Sequence, residues 1–337
     1  MVEQTPLDPD VTPLPPDGMF YDDLHVGLRF PSPPAVTIDA GLASLYTAIS
    51  GDGLALSIDR DLSTAVTGRA SRLVNPALVI HVSVGASTVA TRNVIGNLFY
   101  RDVILRRQVF VDETLRTVTG IRALADSRPK PDTKPRGKAL LTIVTTGSDE
   151  GDGVIDCERL PLLPCRGDEA PGHSDDIGKV GDLALDAFAE VAPDWNLAPL
   201  GPHDAWVVGE TRADLQRDVV DMATALVRIT HNQAAVHRDA EVSPYEGRLV
   251  YGGHTVALAQ ASLDRVLGGL ATVLGWHSCS HTAPVFEGDI LSCRHTLVVE
   301  QSSADGTVRA VHIEVDAHRP GADPVTVLDW TPVVLTT

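Results

Sequence analysis

The chain reads as an α+β protein in which one unit is built twice, each unit a long helix wrapped by a curved antiparallel sheet. Three observations predict this. The same landmarks recur in the same order in both halves, each half carries one long apolar stretch of helical period, and each ends in segments of alternating polarity and strand length. At 337 residues the chain is long enough for two domains or for one fold built twice.

Residues 1–18 are rich in Pro and Asp and read as a flexible arm. The first repeat, 19–166, opens with Tyr21-Asp22-Asp23-Leu24-His25-Val26-Gly27. An apolar-periodic helix over Leu42 to Ile49 then ends in Ser50-Gly51-Asp52. Asn75 is a good helix N-cap and Pro76 suits the first helical position, so a long helix is expected over Ala77 to Val89. Alternating strands follow over Gly96 to Val111, Leu115 to Ala123 and Ala139 to Thr145. The segment Asp126 to Lys138 between them is too rich in Pro and charge for a strand and reads as a loop. Gly147 to Asp182, rich in Gly, Asp and Pro, reads as a partly flexible inter-repeat connection, with the linker proper at 167–199.

The second repeat, 200–337, repeats the plan. Asp204-Ala205-Trp206-Val207-Val208-Gly209 matches the opening landmark, and Met222 to Ile229 followed by Thr230-His231-Asn232 matches the first helix and its loop. Gly252-Gly253 precedes an apolar stretch of helical period from Val256 to Leu270. Strands are expected over Trp276 to Val285, Leu291 to Gln301, Val308 to His318 and Val325 to Leu335.

Composition narrows the function. A formal net charge of −18 argues against nucleic acid and anionic membrane surfaces, both of which want a Lys/Arg face. No apolar run approaches the roughly 20 residues of a membrane span, no signal-peptide pattern opens the chain, and a cytoplasmic enzyme is the expectation. The four cysteines, Cys157, Cys165, Cys279 and Cys293, have no CxxC spacing, so reduced thiols are expected. Cys279 with His277 and His281 is the one local cluster that resembles a metal site, but its segment alternates like a strand; His231, His237 and His254 lack a common ligand spacing, and no metal is expected.

The chemistry concentrates in the second repeat. Asn232 is followed five residues later by His237, and then by Val250-Tyr251-Gly252-Gly253-His254 at a helix start. This offers a base, a polar partner for a water, and free backbone N–H groups. Those parts can add water to an activated acyl group or remove it. Histidine accepts and returns a proton near neutral pH, whereas asparagine can only orient. N–H groups at a helix start stabilise the negative charge that an acyl thioester's carbonyl oxygen acquires when its alpha proton moves. Glycines there admit close approach of a substrate. A structural histidine, an Asx-turn asparagine and a simple helix-start turn are the plainer alternatives for the same residues.

These motifs, with His281-Thr282-Ala283-Pro284-Val285-Phe286-Glu287-Gly288-Asp289 and Val327-Leu328-Asp329-Trp330, resemble the MaoC-like double-hotdog hydratase/dehydratase family. The features are most similar to its beta-methylmalyl-CoA dehydratase (mesaconyl-CoA hydratase) branch. The resemblance covers nearly the whole chain and is sharper in the second repeat. It implies two hot-dog repeats whose sheets join into one antiparallel layer around two long helices, functional as a monomer or a homodimer. It implies (R)-specific hydration of a 2-enoyl thioester to a 3-hydroxyacyl thioester, or the reverse, without metal or redox cofactor. The substrate would be an acyl-CoA or acyl-carrier-protein thioester carrying a mesaconyl-type or fatty acyl group.

By position, the resemblance makes His237 the catalytic histidine and Gly253 the oxyanion glycine, with Tyr251, Gly252 and His254 near the substrate. The family's loop usually reads Asp-x-Asn-Pro-x-His; here Asn232 stands for the Asp and Ala234 for the Asn. In the first repeat the loop keeps Asp52 but has Ser57 at the histidine position, resembling the non-catalytic, pocket-forming repeat. Repeat symmetry places the two loops at opposite ends of the joined sheet. A dicarboxylic substrate would want an arginine, for which Arg69, Arg72 and Arg248 are the nearby candidates. A fatty chain would want an apolar tunnel, for which Leu78, Val79, Val82 and Val84 are placed. A catalytically inactive acyl-CoA binder is the alternative suggested by Asn232, Ala234 and Ser57. A hotdog thioesterase is a third reading, weakened because Thr255 to Gln260 supplies no carboxylate.

Overall fold

A computed structural model describes residues 12–131, 133–148, 151–202, 205–302 and 306–337. Of the arm expected over 1–18, residues 1–11 lie outside the described residues, as does Asp204 of the second landmark. The first repeat contains β1 (Val36–Thr37), α1 (Ala40–Ser50), α2 (Ala55–Ile58), α3 (Arg60–Thr67) and α4 (Pro76–Ser87). These are followed by β2 (Gly96–Leu105), β3 (Thr114–Asp126), β4 (Arg136–Thr146) and β5 (Gly153–Pro164). A connecting segment carries α5 (Asp186–Ala189). The second repeat contains β6 (Thr211–Ala213), β7 (Asp218–Val219), α6 (Ala223–Ile229), α7 (Gly252–Val266), β8 (Leu270–His281), β9 (Ile290–Ser302), β10 (Thr307–His318) and β11 (Val325–Thr336).

The strands form one sheet in the order β1-β3-β4-β5-β2-β8-β11-β10-β9-β6, with β7 also paired to β9. Counted outward from the centre, each half runs through its first, fourth, third and second long strand. The expected duplication is therefore a duplication of topology, joined at the antiparallel β2–β8 seam. There Tyr100 faces Cys279 and Val103 faces Trp276. The seam needs Gly275, because a Cβ at that position would lie 2.0 Å from the Val103 carbonyl oxygen.

The long helices follow local chemistry. Asn75 Oδ1 accepts the Ala77 N–H at the start of α4, and Pro76 occupies the first turn, as expected. Every residue of α4 is buried, so its apolar character extends all round rather than along one stripe. The second helix departs from expectation: α7 stops at Val266, and Gly269 (φ +70°) turns the chain so that Leu270 already belongs to β8. The apolar run to Leu270 was helix followed by buried strand, which periodicity alone does not separate.

Two further corrections concern strands. β2 ends at Leu105 rather than Val111, because Phe110 leaves the sheet to bridge Leu73. More important, the segment expected to be a partly flexible connection without a strand contains the twelve-residue strand β5. Charged Asp156, Glu158 and Arg159 hide its alternation.

One apolar cluster spans both repeats, between the sheet and the helices, and includes Leu78, Ile80, Leu258, Trp276 and Trp330. α4 and α7 run antiparallel inside it. The start of α4 meets the body of α7, where Gln260 Nε2 donates to Asp52 and to Asn75 Oδ1. The end of α4 meets the loop after α6, where the Gln233 N–H donates to Thr88 Oγ1 at 2.7 Å. Just beyond, the Ala235 N–H donates to the Arg92 carbonyl. The loops of Asp52 and Asn232 thus lie at opposite ends of the helix pair.

That second junction depends on Gly85, where a Cβ would lie 1.9 Å from the Thr230 carbonyl oxygen. A backbone oxygen cannot rotate away, so one segment must move. Gly85→Ala is expected to lower stability by about 1–3 kcal/mol, the usual range for overpacking. It should also displace the Asn232 loop. Urea unfolding measures the first effect, and a wild-type midpoint in the variant would show that the junction yields freely.

Candidate active site

The Asn232 loop is built by backbone geometry before any side chain is placed. α6 ends at Ile229, His231 takes φ +54°, and the Asn232 N–H reaches back to the Val227 carbonyl at 3.0 Å. Asn232 Oδ1 accepts the Ala234 N–H at 2.9 Å, an Asx-turn. Because that N–H needs an oxygen, the bond also fixes which way the amide faces. Asn232 Nδ2 is left with no protein partner among the described residues, on a side chain that lines a pocket. The Asx-turn and a polar group offered to the pocket are the same residue doing both.

A single 3-10 turn, Ala235–His237, then carries the histidine inward. The His237 ring is 8% exposed, and Nδ1 lies 3.0 Å from the Leu249 carbonyl. A carbonyl only accepts, so Nδ1 carries the proton and Nε2 holds the lone pair. Burial pushes the histidine down to about 4 against the pull of the Leu249 bond, and the nearby Arg159 and Arg248 charges push the same way. At neutral pH the ring is a neutral base.

Tyr251 immediately precedes α7, and the N–H groups of Gly252 and Gly253 occupy its first two positions, where no intrahelical acceptor exists. Gly252 lines the pocket; Gly253, the glycine carried over by the resemblance, does not. The reason for the glycines also differs from expectation. A Cβ on Gly252 would lie 2.5 Å from the His281 ring, and one on Gly253 2.5 Å from the Tyr251 ring. Aromatic rings of the protein, not open space for substrate, fill the side that a Cβ would take.

The pocket holds a cavity of about 250 Å³ between the repeats. The second repeat contributes Asn232, His237, Tyr251, Gly252 and His281; the first contributes Val84, Thr88, Tyr100 and Arg159. No Asp or Glu is among the lining residues. His254, expected near the substrate, is not among them either. It is fully buried with neither ring nitrogen partnered, and burial holds it down to about 4. His254 is the third residue of α7, two on from Gly252, so its side chain is rotated by about 200° from the face that Gly252 presents.

The anticipated arginines also lie elsewhere. Arg72 donates to Ser44, Arg69 stacks over Phe110, and Arg248 pairs with Glu287 at 2.7 Å while donating to the His237 carbonyl. Of the four residues proposed for an apolar tunnel, Val84 alone lines the pocket; Leu78, Val79 and Val82 are sealed in the core. Sequence reasoning assigned no role to Arg159, His281, Tyr100 or Thr88. His281 Nε2 is buried without a partner, and burial and the neighbouring His237 hold that ring down to about 4. A signal for Arg159 was present, since it shares strand parity with buried Ile155 and Cys157.

The corresponding place in the first repeat is plugged. Asp52 is buried and accepts from the Leu54 N–H, Asn75 Nδ2 and Gln260 Nε2, at 2.7 Å for the two side-chain amides. Among the described residues no three His, Cys, Asp or Glu side chains converge to hold a metal ion, all four cysteines are free and buried, and no helix is long and apolar enough to cross a membrane.

One antiparallel sheet packed over two antiparallel helices, with a pocket at the repeat interface, defines a double hotdog. The chain is 39% identical to RV0216, a conserved hypothetical protein of Mycobacterium tuberculosis described as having a double hotdog fold. That match has a TM-score of 0.87 and covers 95% of this chain and 99% of the other. It is 24% identical over 323 residues to mesaconyl-CoA hydratase of Cereibacter sphaeroides, covering 91% of each chain. It is 25% identical over 292 residues to beta-methylmalyl-CoA dehydratase of Chloroflexus aurantiacus, covering 81% of this chain and 80% of that one. No family model matches the sequence. The chain belongs to the MaoC-like double-hotdog family.

Proposed function

We propose that this protein is an (R)-specific hydratase/dehydratase of 2-enoyl thioesters, working without metal or redox cofactor on a CoA or carrier-protein thioester. The observation that carries the reading is the His237 imidazole: buried, neutral, tautomerically fixed by Leu249, and lining the same pocket as Asn232 and Gly252 at the start of α7. In hydration, Asn232 Nδ2 donates to the oxygen of a water and His237 Nε2 accepts one of its protons. The hydroxyl bonds to C3 of the enoyl group as the C2–C3 double bond opens toward C2. Negative charge spreads to the thioester oxygen, which accepts from the N–H of Gly252, with Gly253 behind it, at the positive end of α7. The imidazolium then returns its proton to C2. One histidine serves both transfers, so H and OH add to one face.

Asn232 orients and does not ionise, leaving proton transfer to His237. The absence of a carboxylate from the lining weighs against a thioesterase, which would need one to attack or to activate water on the carbonyl carbon. The named relatives, a hydratase and a dehydratase of CoA thioesters, support the same reading.

The test is a panel of 2-enoyl-CoAs, from crotonyl through long-chain to mesaconyl, followed by loss of the conjugated enoyl absorbance. Turnover is expected for short acyl groups, with no free thiol released. Saturable binding of the panel without turnover would instead identify an inactive acyl-CoA binder, and thiol release a thioesterase.

A further inference from the structure

Arg159 is 2% exposed, yet it forms no ion pair with any carboxylate among the described residues. The neighbouring Glu158 points to the opposite face of β5 and is taken by Arg101 and Arg122. The Arg159 guanidinium lines the pocket beside Tyr100, its register partner across β2 and β5, and beside Tyr251. Nη2 donates to the Ser87 carbonyl and Thr91 Oγ1 at the end of α4. Nε is buried with no acceptor, Nη1 has none among the described residues, and the buried Tyr251 hydroxyl also lacks a partner.

Burying a cation without an anion is costly, and proteins seldom leave one so. Nη1 is therefore the donor that this pocket-lining guanidinium leaves open, on a cavity that holds no carboxylate of its own. A neutral acyl end would leave that charge uncompensated. A distal carboxylate fits, since it supplies the missing anion and accepts a charge-assisted hydrogen bond from the guanidinium.

We propose that Arg159 is the specificity-determining residue of this pocket, binding through Nη1 the distal carboxylate of a short dicarboxylic acyl thioester. This rests on reading the pocket as the acyl site. The cavity of about 250 Å³ and the sealing of Leu78, Val79 and Val82 in the core restrict the acyl group to a short one.

Succinyl-CoA and butyryl-CoA, saturated and of equal chain length, separate this proposal from turnover when titrated calorimetrically. Succinyl-CoA is expected to bind about ten- to hundredfold tighter, the value of a hydrogen bond to a charged group. Arg159→Met should abolish the preference while retaining butyryl-CoA binding, and Arg159→Lys should restore part of it. Equal or reversed affinities in the wild type would overturn the proposal without any variant. So would a preference that survives in a folded Arg159→Met, which would leave Arg159 as a cap for α4. If neither thioester binds, the acyl-site reading falls and this proposal with it. A carboxylate preference without turnover of any enoyl-CoA would sustain the proposal and sink the hydratase reading alone.

Discussion

His237→Ala lowers kcat for 2-enoyl-CoA hydration by about two to four orders of magnitude, the range for losing a positioned general base. KM should change little, because the ring moves a proton and is not the group that holds the acyl chain. The variant leaves the Leu249 carbonyl without its donor, at a cost of about 1–3 kcal/mol, so thermal melts must accompany the rates. His237→Gln keeps a donor for Leu249 but no base, and is expected to be as slow as the alanine variant and closer to wild type in stability. The pH profile adds an independent check. With the ring held down to about 4, kcat/KM should stay flat from about pH 8 to about pH 6. An unperturbed imidazole would already lose half its base form near pH 6.5. A profile falling through that value would place His237 outside the buried environment described above. A raised KM with unchanged kcat in the alanine variant would make it a binding residue only.

The second large effect is on stability in mild acid. His81 is held down to about 3, and His237, His254, His281 and His295 to about 4, with desolvation the first cause in every case. In the unfolded chain each titrates near 6.5, so below that pH the unfolded state binds protons that the folded state refuses. Stability is therefore complete above about pH 6.5 and is lost as pH falls through the window to the folded values. Each imidazole contributes about 1.4 kcal/mol per pH unit inside it. The sum is smaller than five independent terms, because His81, His254 and His281 influence one another. Two carboxyls act oppositely. Burial and the nearby Asp52 push Asp264 up to about 7, and burial raises Asp52, so both favour the folded state as pH drops. Five imidazoles outweigh two carboxyls, and the urea midpoint at pH 5 should lie well below that at pH 7. A constant or rising midpoint would mean that these histidines find partners for their protons in the folded protein.

Local chemistry made much of the fold legible. Asn75 and Pro76 mark the start of α4 because a cap needs only its own turn, and most long strands stand out by alternation. The duplication was readable because both copies kept their glycine turns and apolar faces. Legibility failed where an inward-facing position is polar. β5 was lost because Arg159 and its neighbours break the apolar pattern, and the residue that breaks it is the one that lines the pocket. The end of α7 was misplaced for the opposite reason, since an apolar run buried on all sides carries no period.

The sequence by itself determined the class of fold, the loop that carries Asn232 and His237, and a helix opening near the Gly252-Gly253 pair. Each depends on neighbours within a few residues. Only the tertiary structure decided that Gly252 rather than Gly253 lines the pocket and that His254 is buried outside it. It also decided that Arg159, from the other repeat, joins them. Those are facts about which way a side chain faces and what lies opposite it, and they are set by packing two distant halves of the chain across the β2–β8 seam.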